Sequence, residues 1–212
     1  LVNGRREAIG RRFARLVTRI VVARPGLWRV FRRPLRAEFD RLAPRWDEVI
    51  GPERLAPLAA ALDRLQLEPG RILDLGTGTG KAARLAAERF PEADVVGIDL
   101  APAMIEEARA LLPAELAGRV RFDVADASSL PFDDGAFDLV LLLNMIPFFE
   151  ELARVTAPGG SLVFSAVSGP DTPIWTPPET LRARLEPLGF ADFEELEEGA
   201  GTAFLARRAK PG

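Results

Sequence analysis

The sequence predicts an α/β fold, a doubly wound and mostly parallel sheet preceded by an N-terminal helical extension. Three observations carry this expectation. From residue 71 onward short apolar runs alternate with segments of helical periodicity, the signature of βαβ units. A glycine-rich turn, Gly76-Thr77-Gly78-Thr79-Gly80, joins the first apolar run to the first helical segment. Two last apolar runs are separated only by Glu198 to Gly201, which suits an antiparallel hairpin.

In the extension, Ile9, Phe13, Leu16, Val17, Ile20 and Val21 recur at helical spacing, with Arg5, Arg12, Arg15 and Arg19 falling largely between them. The first helix is therefore basic and amphipathic. Pro25-Gly26 ends it, and a second apolar group (Leu27, Trp28, Val30, Phe31) follows before Pro34. A third helix is expected over 52–65, with Leu55, Leu58, Ala59, Leu62 and Leu65 on one face. Strands are expected at 71–75, 94–98, 119–124, 137–143 and 160–167, and helices at 80–90, 102–111 and 149–156. Residues 127–131 read as a loop or short helix. A Pro-rich loop over 169–178 leads to a helix at 178–187 and then to strands at 191–197 and 202–208. The division falls near 67–70, between a basic helical extension or lid (1–68) and the sheet domain (69–212).

With 212 residues, 48% of them apolar and 28% charged, the chain suits one globular core. It holds no Cys, His or Tyr. That removes disulfides, thiolate nucleophiles, Cys/His zinc sites and histidine-based triads. Carboxylates, Lys, Ser/Thr and Asn remain for side-chain chemistry. No apolar run approaches the roughly 20 residues that span a bilayer, and the longest, over 139–149, is broken by Asn144 and Pro147. No secretory signal is recognisable, so a cytoplasmic location is expected. Charge is unevenly spread: residues 1–41 carry twelve Arg against Glu7, Glu38 and Asp40, a net of +9, so a total of −3 leaves −12 for the rest. Such a head is expected to meet something anionic, either its own acidic body or an outside partner.

The chemistry concentrates at the ends of successive strands. Ile72-Leu73-Asp74-Leu75 runs into the glycine turn, where glycines let the backbone approach a ligand and the next helix offers unpaired N–H groups. A dinucleotide fingerprint would read G-x-G-x-x-G; here the spacing is G-x-G-x-G with Asp74 two residues before it. That carboxylate would repel a pyrophosphate and suits the ammonium of an amino-acid-like ligand. Asp99 ends the second strand, 25 positions after Asp74, where an acid can accept both hydroxyls of a ribose whose 2′ position is unphosphorylated. Leu100 and Met104 then offer apolar contact to a purine, and Asp126, after the third strand, can accept its exocyclic amine. Asp133-Asp134-Gly135 reads as a plain turn.

These segments, with Phe137-Asp138-Leu139-Val140 through Asn144 and Ala157-Pro158-Gly159-Gly160, resemble the motifs of the class I S-adenosylmethionine-dependent methyltransferases. The resemblance covers 71–167 by motif. It implies S-adenosylmethionine as cofactor and a seven-stranded sheet of order 3-2-1-4-5-7-6 with strand seven antiparallel. It implies that Asp74 and the backbone of Gly76, Thr77, Gly78 and Gly80 hold the methionine part, Asp99 the ribose, and Asp126 with the Ala127 N–H the adenine. Asn144 would face the sulfonium methyl, although Asn144-Met145-Ile146-Pro147-Phe148 departs from the Asn-Pro-Pro-aromatic run of amino-group methyltransferases. Residues 39–47 resemble the approach segment of quinone and small-molecule methyltransferases, with Trp46-Asp47 in place of the usual Tyr-Asp. With no His or Tyr, Asp47 or water is expected to take the acceptor's proton.

The sequence leaves the acceptor unidentified: a small molecule, with a lipophilic one among the candidates, is expected under the Pro-rich loop with Trp175, since ligands sit outside the carboxyl ends of the strands. Two other classes stay open: a nicotinamide-dependent oxidoreductase on a similar sheet, and a non-catalytic protein that keeps the fold. For the basic head there are also two readings, an apolar face packed on the domain with solvated arginines, or an interfacial lid touching a membrane. Nucleic acid is a weaker partner, because aromatic interleaving is limited to Phe13, Trp28 and Phe31.

Overall fold

A computed structural model describes residues 2–49 and 51–210, with side chains described from residue 10 onward apart from 48, 49, 52 and 53. The Ile9 and Arg5 side chains of the expected amphipathic face lie outside the described ones. Eight α-helices run as α1 (Val2–Ala23), α2 (Trp28–Leu42), α3 (Trp46–Val49), α4 (Ala56–Arg64), α5 (Lys81–Arg89), α6 (Pro102–Ala110), α7 (Phe149–Val155) and α8 (Pro178–Leu185) among the described residues. Seven strands form one sheet: β1 (Arg71–Leu75), β2 (Asp94–Asp99), β3 (Val120–Val124), β4 (Phe137–Leu143), β5 (Thr156–Ala166), β6 (Phe190–Glu198) and β7 (Gly201–Arg208). Their order is β3-β2-β1-β4-β5-β7-β6, with β7 antiparallel to β5 and β6 and the other pairs parallel. This is the expected topology.

Alternation along the strands divides the core between two faces. Ile72, Val95, Leu139, Leu141 and Val163 meet α4, α5 and α6, where Ala82, Ala83, Ala86 and Ala87 let α5 lie close to the sheet. Leu73, Leu75, Val96, Ile98, Val140, Leu142 and Phe164 face the other way, toward α7 and α8. On that second face the crossover between β3 and β4, residues 125–136, forms no helix. Val17 and Val21 of α1 and Trp28 and Leu35 of α2 join the core there instead, so the extension closes a face that the crossover leaves bare.

Local chemistry moves several element ends. α2 carries the second apolar group from Trp28 onward and runs on through Pro34. Over 52–65 the chain makes a 3-10 turn, Pro52–Leu55, before α4, whose Pro57 sits in the first turn where a missing N–H costs nothing. β5 starts at Thr156, four residues early, because Thr156 pairs with Phe137 ahead of a register shift; Leu139 then pairs with Ser161. α8 gives way to a 3-10 turn at Glu186–Leu188, since Pro187 cannot continue an α-helix.

Candidate functional site

The three acids expected at strand ends sit on the carboxyl edge of β1, β2 and β3, beside the glycine turn. The N–H groups of Gly76 and Thr77 both donate to the Ile98 carbonyl, at 2.9 and 2.8 Å, which pins the turn to β2. Gly80 caps α5 with φ of 82°, a left-handed conformation that side chains resist. A Cβ there would lie 2.6 Å from Cζ of Phe122. One at Gly76, φ 73°, would lie 2.6 Å from Sδ of Met145. Met145 therefore presses on the turn from the end of β4.

Asp74 is wholly buried. Its Oδ2 accepts the Thr77 hydroxyl at 2.5 Å, while Oδ1 has no hydrogen-bond partner among the described residues. Burial pushes its carboxyl up to about 6, against the hydrogen bonds of Thr77 and the Ala83 N–H and with help from the nearby Asp99 charge. An orphaned buried carboxylate oxygen beside a ligand-sized turn is costly unless a ligand completes it. The residues present thus fit a cofactor that brings an ammonium.

Asp99 accepts the Gly78 N–H at 3.0 Å on one oxygen and the Ala101 N–H at 2.9 Å on the other. Burial raises its carboxyl above the ordinary range, with those backbone bonds opposing. Leu100 is half-buried, and Met104 is buried with Ala43 and Ala101 beneath the approach segment. Asp126 is engaged more heavily than the sequence suggested. Its Oδ1 accepts the Ser128 N–H and hydroxyl and the Trp28 indole N–H, all at 2.8–2.9 Å, and Oδ2 faces Arg32 at 3.4 Å. Partial burial pushes its carboxyl up, but the bonds from Ser128, Trp28 and Arg32 outweigh it and hold the group below its usual range. Ala127 is buried in the same core.

The approach segment bridges two parts of the site. Trp46 stacks edge-on to Phe39 at 5.7 Å, and its Nε1 would lie 3.1 Å from a Cβ on Gly78. Asp40 accepts the Ala103 N–H at the start of α6, at 3.1 Å. Asp47 accepts the Thr79 hydroxyl at 2.5 Å and lies 3.5 Å from Nζ of Lys81. Asp47 is thus tied to the glycine turn, where it braces the approach segment.

Asn144 follows β4 with φ of 52°. Its N–H donates to the Ser165 carbonyl at 2.9 Å, and its Oδ1 accepts the Val167 N–H at 3.1 Å, so the amide locks the end of β4 to the end of β5. Asn144 and Met145 line a cavity of about 360 Å³ with Phe164, Ile174, Trp175 and Leu181. The Pro-rich loop forms one wall of it. Asp133-Asp134-Gly135 is a turn, with Asp134 paired to Arg154 at 3.0 Å.

Two contributors escaped the sequence reading. In the sequence Trp28 is one of an apolar group and of three aromatics in the basic head, and nothing local links it to Asp126, 98 positions away. Met145 carried no signal beyond its place after Asn144.

Fold and site together define a doubly wound α/β domain whose glycine turn is backed by a buried acid. Comparison with known proteins narrows this further. A family profile described as a methyltransferase domain matches residues 72–160. The malonyl-[acyl-carrier protein] O-methyltransferase of Halorhodospira halophila is 39% identical over 150 residues, covering 66% of this chain and 50% of that protein. The demethylmenaquinone methyltransferase of Thermus thermophilus is 45% identical over 141 residues, covering 59% of this chain and 62% of that one. Human N-acetylserotonin methyltransferase, solved in complex with S-adenosylmethionine, superposes with a TM-score of 0.64 at 19% identity over 82% of this chain and 57% of that one. A methyltransferase domain thus spans residues 72–160, and the chain is similar in sequence and fold to class I S-adenosylmethionine-dependent methyltransferases. It spans half to about three-fifths of the length of those two curated relatives.

Proposed function

We propose that the protein transfers a methyl group from S-adenosylmethionine to a small, mostly apolar acceptor held in the cavity beside Met145. One observation carries the reading: Met145 borders the glycine turn at Gly76 and also lines the cavity, so the donor and acceptor compartments share a wall. The bound cofactor supplies an electrophilic methyl group on a sulfonium. The chain's own residues bind and orient. Asp74 receives the ammonium, the Gly76, Thr77, Gly78 and Gly80 backbone lies along the methionine part, and Asp99 accepts the ribose hydroxyls. Leu100 and Met104 border the purine, and Asp126 with the Ala127 N–H receives the adenine edge. Holding two reactants aligned contributes roughly 7–11 kcal/mol at its upper end, which is why a chain without His, Cys or Tyr suffices.

In this reading Asn144 is a positioning residue that shapes the shared wall. Asp47, bound to Thr79 and Lys81, holds the approach segment over the turn, and water takes the acceptor's proton. Residues 1–68 act as a basic helical lid on the 69–212 domain, in a cytoplasmic setting. A peripheral contact of that lid with a membrane would give access to a lipophilic acceptor. Among the described residues no helix is long and apolar enough to cross a membrane.

Calorimetry with S-adenosylhomocysteine tests the reading. Saturable heat is expected from the wild type, and Asp99→Asn is expected to weaken binding at least tenfold. Absence of heat with well-folded protein, or unchanged binding in Asp99→Asn, would overturn it.

A further inference from the structure

The outer side of the α1–α2 hairpin carries an exposed apolar seam framed by arginines that have no ion-pair partner among the described residues. Six large apolar side chains are exposed among those residues, and four belong here: Phe13, Leu16, Leu27 and Val30. Leu16 is 55% and Val30 65% exposed. Phe13 meets Phe31 edge-on at 6.4 Å, which joins the stripe on α1 to the stripe on α2. Arg12 and Arg19 lie four before and three after Leu16, and Arg33 lies three after Val30, spacings that put them beside the seam on the helix surface. Arg32, Arg36 and Arg41 have acidic partners; Arg12, Arg19, Arg24, Arg29 and Arg33 have none among the described residues.

The same hairpin holds the wall of the acceptor cavity. Arg11 donates to the Asp171 carbonyl at 3.0 Å, and Arg15 donates to the Pro170 and Asp171 carbonyls at 3.3 and 3.2 Å. Pro170 lines the cavity. Arg11 and Arg15 share two turns of α1 with Phe13 and Leu16, so one rigid element carries both the seam and the anchor of the loop over the cavity.

We infer that this seam docks on an anionic lipid bilayer, with the acceptor cavity's covering loop held at the membrane surface. Only its purpose, delivery of a lipophilic acceptor, rests on the methyltransferase reading; the surface stands on its own residues. Unpaired guanidinium groups attract anionic headgroups, and Leu16 and Val30 gain by entering the acyl boundary. A nucleic acid would reward the arginines but offers nothing to exposed Leu and Val side chains.

The test is co-sedimentation of the full chain with vesicles of phosphatidylcholine alone and of phosphatidylcholine with 30% phosphatidylglycerol, a composition chosen for its roughly physiological surface charge. Binding to the anionic vesicles at least tenfold above the neutral ones, weakening with salt, is expected. Leu16→Ser and Val30→Ser should each lower it about tenfold. Arg12→Gln, Arg19→Gln and Arg33→Gln together should lower it about a hundredfold, at roughly fivefold per arginine. Equal binding to both vesicle types overturns the inference. So does binding to duplex DNA or RNA that survives Leu16→Ser with Val30→Ser while vesicles stay unbound, or a stable dimer that those changes dissolve. S-adenosylhomocysteine calorimetry on the same samples separates the two proposals: heat without vesicle binding leaves the methyltransferase reading intact, and vesicle binding without heat leaves only the surface.

Discussion

The indole N–H of Trp28 donates to Oδ1 of Asp126 at 2.8 Å, so a residue of the N-terminal hairpin holds the acid expected to meet the cofactor's adenine. The Trp28 ring also packs edge-on against Phe148 at 5.3 Å and is buried. At this one side chain the hairpin is fastened to the crossover after β3 by a polar contact and to the start of α7 by an apolar one.

These contacts separate by mutation. Trp28→Phe keeps a ring on Phe148 and loses the hydrogen bond, so chemical denaturation should show a loss of about 1 kcal/mol. Trp28→Ala also opens a cavity and should cost about 3–5 kcal/mol. Equal losses in the two variants would mean that the ring adds nothing to docking.

Asp74 predicts a pH dependence with a definite sign. Its folded carboxyl titrates at about 6, above the ordinary value near 3.8, so the folded state binds the extra proton between those values. Stability should then fall as pH rises from about 4 to 6, by on the order of 3 kcal/mol, and stay reduced above. Asp74→Asn should remove that decline in urea titrations. An ammonium ligand favours the ionised form, so S-adenosylhomocysteine affinity should rise from pH 5 to pH 7, and a flat profile in the wild type would count against an Asp74 contact.

Gly80→Ala places a Cβ at φ 82° and 2.6 Å from the Phe122 ring. Strain of about 1–3 kcal/mol is expected, read as a lowered unfolding midpoint, together with weaker cofactor binding because the start of α5 shifts. A wild-type midpoint would show that the turn adjusts at little cost.

Asp47→Asn distinguishes a brace from a base. Loss of the ion pair to Lys81, with the Thr79 contact weakened, should raise the KM for cofactor several-fold while kcat changes little. A large fall in kcat with an altered pH profile would return Asp47 to the role of proton acceptor.

Arg154 secures the helix-free crossover between β3 and β4. Its guanidinium donates to the Phe132 and Leu130 carbonyls at 2.6 and 3.0 Å and to Glu151 at 2.8 Å. The Arg154 hydrogen bonds hold the Glu151 carboxyl below its ordinary range, aided by the Leu130 N–H. Arg154→Met should cost about 2–4 kcal/mol in denaturant titrations and loosen residues 125–136 in hydrogen exchange. Unchanged protection there would remove Arg154 as the support of that loop.

What the sequence by itself determined was whatever depends on neighbours along the chain. Short apolar runs and helical periodicity located all seven strands and the helices between them, and the glycine spacing with Asp74, Asp99 and Asp126 pointed to a candidate site at the strand ends, because backbone conformation is largely a local consequence of residue type. Element ends shifted where a proline or a pairing partner intervened, as at Pro57, Pro187 and Thr156. Only the tertiary structure decided what closes the bare face beside β3, what occupies Asp126 and what Asp47 holds. The Asp47 and Asp126 contacts join residues 32 and 98 positions apart, and the closing of the bare face spans further still, chosen by complementary shape and unsatisfied polar groups that meet only once the sheet has formed.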